Sequence, residues 1–386
     1  MIYLDNSATS WPKPDDVLAA VDDALRTCGN PGRGAHGPAL DAGRVLLRLR
    51  TLAAELFGAA PERVVLTTSA THALNLAIAG LLDPGDHAVT TDLEHNSVLR
   101  PLYAARARGA ELTIVASERG VVSPDAVAAA LRPQTRLVAL THASNLLGTV
   151  QPVAEIAAVC AERGVTLVVD AAQTVGLLPL DLRSLPGTAV ACGGHKGLLG
   201  PAGTGLLVLG EGIRPRPLEV GGTGEDSFSE TMPASLPEAL EAGTPNVPGF
   251  AGLAAALRII LDAGAAGRPS DHWAEAMIAA RRLRTGLAEL GCWVAPDVDE
   301  SAWGVPVVSG VVRGRSGAVL DCAEVADALW EHAEIAVRAG FHCAPLAHRR
   351  SGTAETGMVR FSPGHLTTDD DIDAAIEGVR AIYEAS

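Results

Sequence analysis

Between Arg63 and Leu209 the apolar residues come in short unbroken runs, and the runs are separated by stretches with helical spacing. "RVVLTT", "HAVTTD", "ELTIVA", "TRLVALTHA", "VTLVVDAA", "TAVACGGHK" and "GTGLLVLG" each read as a strand rich in β-branched residues. Between them, "ATHALNLAIAGLL", "SVLRPLYAARARG", "PDAVAAALR" and "VAEIAAVCAERG" place apolar residues three and four apart, the spacing of an amphipathic helix. Strands that are apolar on both faces, joined by helical crossovers, predict a mainly parallel sheet covered on both sides. From Gly221 to Gly249 the chain turns rich in Gly, Pro and acids and reads as a long loop. Past about Asp271 the helices lengthen and strands become few, "VPVVSGVVR" being one. We expect a large α/β domain over residues 15–250. Residues 1–14 and 251–386 should form a smaller α+β domain.

A chain of 386 residues is long enough for this two-part division. Hydrophobic residues make up 48% and charged residues 19%, as in ordinary globular proteins, while aromatics at 3% leave the core to Ala, Val and Leu. The net charge of -15, without a dense basic cluster, argues against nucleic acid as a partner. "MIYLDNSATSW" lacks the basic start and apolar run of a signal peptide, and no apolar stretch approaches the ~18 residues of a membrane helix. The six cysteines are scattered with no C-x-x-C pair, which suggests neither a zinc site nor a disulfide framework. A reducing, cytoplasmic setting is expected.

Ligands of open α/β sheets bind at the carboxyl ends of the strands. Polar residues follow nearly every predicted strand there. Ser69-Ala70-Thr71 opens a helix, and its free N–H groups with the Thr71 hydroxyl suit either a phosphate or an ordinary helix cap. Glu94-His95-Asn96, Ser144-Asn145, Asp170 with Gln173, and His195-Lys196 follow other strands. Each alone has a bland account as a loop histidine, a turn asparagine or a solvated lysine, but five in succession do not. A lysine amine forms a Schiff base with an aldehyde, and a carboxylate can keep a pyridine nitrogen protonated. Lys196 and Asp170 therefore point to pyridoxal phosphate, and Arg360 in "GMVRFSPG" can clamp a substrate carboxylate or merely form a surface ion pair.

The segments "YLDNSAT", "LEHNSV", "THASNLLGT", "VVDAAQTVG", "GGHKGLLGPAGTG", "EAGTPN" and "RAGFHCAP" resemble, in order and spacing, those of the cysteine desulfurases. These are class V aminotransferase relatives of the fold-type I pyridoxal phosphate enzymes, and the chain looks like their group II, which includes selenocysteine lyase-like members. The resemblance spans Tyr3 to the last helix and implies a role for each matching residue. Lys196 would bind the cofactor covalently, Asp170 its pyridine nitrogen and Gln173 its phenolic oxygen. His95 would stack on the ring and act as acid or base. Ala70, Thr71 and His195 would hold the phosphate, with Thr244 arriving from a second subunit of a homodimer. Asn145 and Arg360 would hold the substrate carboxylate, with His36 and Arg338 at the mouth. Three positions depart from the pattern: Gly193 stands where a hydroxyl residue is usual, Asn96 replaces the second histidine after the glutamate, and Phe341 replaces a histidine before the cysteine.

Cys343 is the implied nucleophile, taking sulfur from L-cysteine as a persulfide and leaving L-alanine, with a sulfur-acceptor protein or a small thiol downstream. Either His342 or His95 could favour its thiolate. The other five cysteines read as packing residues. Two alternatives stand beside this expectation. One is a selenocysteine lyase or another C–S lyase with the same cofactor. The other is a non-enzymatic sulfur carrier or scaffold, which would need neither Lys196 nor Asp170.

Overall fold

The computed structural model describes every residue except Arg33 and Glu225. The apolar runs become a seven-stranded sheet. Its order is Val64–Thr67, Gly205–Leu209, Thr188–Gly193, Thr166–Asp170, Thr135–Thr141, His87–Thr91 and Glu111–Val115. All neighbouring pairs are parallel except those made by Gly205–Leu209, which runs antiparallel to both of its neighbours. The other six strands therefore end at one edge of the sheet, where the polar residues of the sequence lie. His87–Thr91, Thr188–Gly193 and Gly205–Leu209 are buried along their whole length, which explains why they show no apolar-polar alternation.

A second body forms around a four-stranded antiparallel sheet in the order Arg338–Gly340, Met358–Phe361, Val308–Val312, Trp293–Val294. Its core gathers Leu4 with residues between Ala279 and Val379, such as Leu283, Phe361, Ile372 and Val379. The N-terminal strand Ile2–Tyr3 pairs in parallel with Ile335–Ala336, and Asp5 bridges to Ser362, so the first residues join this body. The helix Val247–Asp262 packs on the helices Asp15–Thr27 and Gly37–Phe57, and its Phe250, Leu253 and Leu257 belong to the core of the large sheet. The division expected after residue 250 thus falls inside a helix of the large body.

Close backbone approach fixes one corner of the sheet edge. A Cβ on Gly205 would lie 2.6 Å from the Ser69 carbonyl carbon and 2.8 Å from its Cα, so only glycine lets this strand pass beneath the turn that starts the helix Ala70–Leu81. Gly205→Ala should lower stability by about 1–3 kcal/mol through overpacking. It should also displace the Ser69–Ala70 turn. Denaturant unfolding and a structure of the variant check both, and wild-type stability with an unmoved turn would contradict them.

Candidate active site

At the strand ends a cavity opens between the large sheet and the segment Arg338–Cys343. Every site residue expected from the sequence lines it except His36 and Thr244. His36 is exposed at the start of the helix Gly37–Phe57 and does not reach the cavity of its own chain. Thr244 lines a separate cleft, together with Thr68, His72 and Asn246.

The floor is electrostatic. Asp170 ends its strand with its carboxylate buried, and Oδ1 accepts the Ala172 N–H at 3.0 Å. Burial raises its pKa, against the pull of Ala172 and of the Lys196 charge. Burial lowers Lys196 to about 8, against the raising effect of Asp170. Its backbone is held unusually firmly. The carbonyl of His195, one peptide before the amine-bearing residue, is surrounded by Thr9 Oγ1 at 3.0 Å, Ser10 N–H at 3.0 Å, Ser10 Oγ at 3.2 Å and Lys13 Nζ at 2.9 Å. Lys13 is itself lowered to about 8 by desolvation. Sequence reasoning missed Lys13, Thr9 and Ser10, because nothing in their spacing predicts a partner some 180 residues away.

The anion end lies at the helix Ala70–Leu81. Ser69 caps it by accepting the His72 N–H at 3.1 Å, leaving the N–H groups of Ala70 and Thr71 without a helical partner. The Thr71 hydroxyl meets Ser97 Oγ at 2.8 Å. A Cβ on Gly193 would stand 3.2 Å from His195 Cδ2 and 3.7 Å from the Ala70 nitrogen. The His195 ring thus occupies the side of this cradle where a hydroxyl residue would press.

His95 caps the next helix, its Nδ1 accepting the Ser97 N–H at 3.0 Å. A ring nitrogen that accepts a backbone N–H carries no proton, so the proton sits on Nε2. Burial, then Lys196, Arg100 and Arg360, lower its pKa to about 4. His195 falls to about 4 as well, and His342 to about 3, both chiefly by burial. The histidines around the cavity are neutral at pH 7, so none supplies an imidazolium to hold a thiolate. Expected as either acid or base, His95 at pH 7 is neutral with Nδ1 taken by Ser97, so it turns an Nε2–H donor outward and is a poor proton acceptor.

Cys343 is exposed at the cavity, whereas Cys160, Cys192, Cys292 and Cys322 are buried. Burial pushes Cys160 and Cys192 up to about 12. His342 and Cys343 are consecutive left-handed residues, with φ of 49° and 54°. Each costs roughly 1 kcal/mol or more in a non-glycine residue. The strain is held by the Asn145 amide donating to the His342 carbonyl at 2.7 Å, and by the Asn96 N–H donating to the Cys343 carbonyl at 2.7 Å. Asn145, expected to hold substrate, therefore also holds the thiol segment, and Asn96 contributes through its backbone. Both ring nitrogens of His342 are buried without a partner. Phe341 packs edge-on against His348 at 5.5 Å.

Arg360 is 2% exposed, with Nη2 on Asp5 Oδ1 at 2.9 Å and Nη1 on the Asn145 carbonyl at 3.1 Å. Its Nε is buried without a partner. Two of the five guanidinium N–H groups are committed by these bonds, so donors remain for a carboxylate. Arg338, half exposed, reaches the same Asp5. Among the described residues no group of three or more His, Cys, Asp or Glu side chains could hold a metal ion, and no helix is long and apolar enough to cross a membrane.

If the Lys196 amine titrates near 8, its reaction with an aldehyde should rise with pH and level off above that value, since only the neutral amine attacks. Borohydride trapping of a small aldehyde on the cofactor-free chain, read by peptide mass, should show half-maximal labelling near pH 8. Labelling that rises only above pH 10 would contradict the burial argument.

Comparison with known proteins agrees with this geometry. The aminotransferase class-V family model matches residues 2–375. A probable cysteine desulfurase of Methanothermobacter thermautotrophicus is 33% identical over 393 residues, covering 99% of this chain and 94% of the relative. A probable cysteine desulfurase of Pyrococcus abyssi is 35% identical over 359 residues, covering 89% and 85%. The apo structure of a cysteine desulfurase from Thermococcus onnurineus superposes with a TM-score of 0.89 at 30% identity, covering 100% of this chain and 95% of that one. The chain belongs to the aminotransferase class-V family, where its relatives are named cysteine desulfurases.

Proposed function

We propose that the protein is a pyridoxal phosphate-dependent cysteine desulfurase that converts L-cysteine and its own Cys343 thiol into L-alanine and a Cys343 persulfide. The observation that carries this reading is the meeting of Lys196, Asp170 and the exposed Cys343 around one cavity. The residues fit the cofactor. The two unpartnered N–H groups of Ala70 and Thr71 suit its phosphate, Asp170 keeps one carboxylate oxygen uncommitted among the described hydrogen bonds, and Gln173 donates only a 3.2 Å bond, to the Ser7 carbonyl. When bound, pyridoxal phosphate supplies an aldehyde that captures an amine and a protonated ring that draws electrons from the substrate Cα.

The chain's residues supply the remainder. Arg360 receives the substrate carboxylate on its uncommitted N–H groups, beside the Asn145 carbonyl. Lys196, an amine lowered to about 8 by burial, would be the base that takes the substrate Cα proton. His95, neutral at pH 7 and fixed by Ser97, would be the residue placed to pack against the cofactor ring. The Cys343 thiolate attacks the substrate sulfur; the C–S bond breaks, its electron pair stays with carbon, and protons return there to give alanine. Substrate plus thiol equals alanine plus persulfide, with no external oxidant. The persulfide then passes to an acceptor protein or small thiol. A reducing compartment such as the cytoplasm suits an exposed thiol that must stay free.

We further propose that a second copy completes the site. Thr244 lies outside the cavity of its own chain, in a cleft that the exposed Leu218 also lines. Light scattering should find twice the chain mass, and a fully active monomer would refute this.

Replacing Cys343 by Ala should abolish alanine formation from cysteine, at least a hundredfold, while much of the turnover with selenocysteine survives. Selenium leaves carbon with less help, since the selenol is the more acidic. Near wild-type release of sulfur by the variant would show Cys343 to be a bystander. Replacing Lys196 by Ala should remove covalent cofactor and all turnover.

A further inference from the structure

The large sheet ends on one side with the strand Val64–Thr67, and among the described residues no further strand pairs with its open edge. An ion pair takes that place. Glu241 Oε1 accepts the Leu66 N–H at 2.6 Å, and Arg50, on the helix Gly37–Phe57, donates through Nη1 to the Val64 carbonyl. The two side chains close on each other as a fork, Nη1 to Oε1 at 2.8 Å and Nη2 to Oε2 at 2.6 Å. With side chains 13% and 19% exposed, the pair lies largely out of water, where losing one partner strands the other charge.

Glu241 stands three residues before Thr244. On the other side Asn246 caps the helix Val247–Asp262, its Oδ1 accepting the Gly249 N–H at 3.1 Å. Between these anchors the Gly243 N–H donates to the Gly222 carbonyl at 2.8 Å, and Gly243 takes a φ of 89°, a turn that favours glycine. Thr244 itself is exposed, so the fixed segment presents it to the outside and adds nothing through it to the core of its own chain.

We propose that Arg50 and Glu241 are positioning residues that act across the dimer. By locking the segment that begins at Glu241 onto the edge strand, they hold Thr244 out for the phosphate end of the second copy's site. The ion pair of one chain then governs how firmly the other chain keeps its cofactor. The inference rests on the reading in which a second copy completes the site, and its test does not depend on turnover.

The test compares pyridoxal phosphate with pyridoxal, which lacks the phosphate, in absorbance titrations of the full chain freed of cofactor. The readout is the ratio of the pyridoxal Kd to the pyridoxal phosphate Kd, which isolates the phosphate contacts. Glu241→Gln keeps an acceptor for the Leu66 N–H and removes the charge that holds Arg50. It should lower the ratio about tenfold, the order for one hydrogen bond to a charged group. Arg50→Lys, which keeps the charge but loses the fork, should lower it too, and takes the place of Glu241→Gln in both arms if that variant fails to fold. Mixed dimers then show whose site suffers. A Glu241→Gln chain paired with a Lys196→Ala chain has one intact Lys196, and that site is completed by the unaltered Glu241 segment of its partner. Borohydride trapping of pyridoxal phosphate on that Lys196 should return to wild-type affinity, while the Glu241→Gln homodimer stays weakened. A merely structural role predicts no such return, because the damage would stay in the chain that carries it. An unchanged ratio, or a mixed dimer no better than the Glu241→Gln homodimer, overturns the proposal. Light scattering of the wild type, run alongside, reports on the second-copy reading separately, and a monomer would sink that reading itself.

Discussion

An amine and a carboxylate withheld from water at the ends of two adjacent strands govern this site. Asp170 closes one strand of the sheet, and Lys196 follows the neighbouring one, Thr188–Gly193. Each is destabilised as an ion by burial and stabilised by the other, so the aspartate rises and the lysine falls to about 8. A lysine so placed is a nucleophile and a base near neutral pH, which a solvated one is not. The nearby lysine charge and the Ala172 N–H favour the charged carboxylate against its burial. The parallel sheet brings them together, and four donors on the His195 carbonyl keep the lysine backbone from drifting.

The thiol is positioned by a different means. Cys343 gains nothing from an imidazolium, since the neighbouring histidines are neutral at pH 7. Geometry is what the fold supplies. Two consecutive left-handed residues turn the chain sharply, and hydrogen bonds from Asn145 and Asn96 hold that turn against its strain. Both donors come from the large body, while the turn follows a strand of the small sheet. Attack on a substrate sulfur requires the thiol in one place, and the segment is pinned at two successive carbonyls.

Much of this was legible because buried parallel strands write themselves as unbroken apolar runs, and the residues after them are where an open sheet binds ligands. Asp170, His95, Asn145 and Lys196 were readable on that ground alone. Gly205–Leu209 reads like its neighbours, because an apolar run buried on both faces carries no mark of direction, so its antiparallel course was hidden. Asp5 and Lys13 were hidden for another reason: their partners lie at the far end of the chain or across the sheet edge. His36 and Thr244 rested on resemblance, and the cavity of a single chain includes neither. The helix Val247–Asp262 belongs to the large body because its apolar face finds two helices from the start of the chain, which local patterning cannot show.

The central claim is that Cys343 receives the sulfur. Purified protein, given pyridoxal phosphate and one equivalent of L-cysteine without reductant, then alkylated, digested and weighed by mass spectrometry, tests it most directly. The account predicts that the peptide carrying Cys343 gains the mass of one sulfur atom, while peptides carrying Cys28, Cys160, Cys192, Cys292 and Cys322 gain none. Alanine formed with no added sulfur on Cys343, or sulfur found on another cysteine instead, would contradict it.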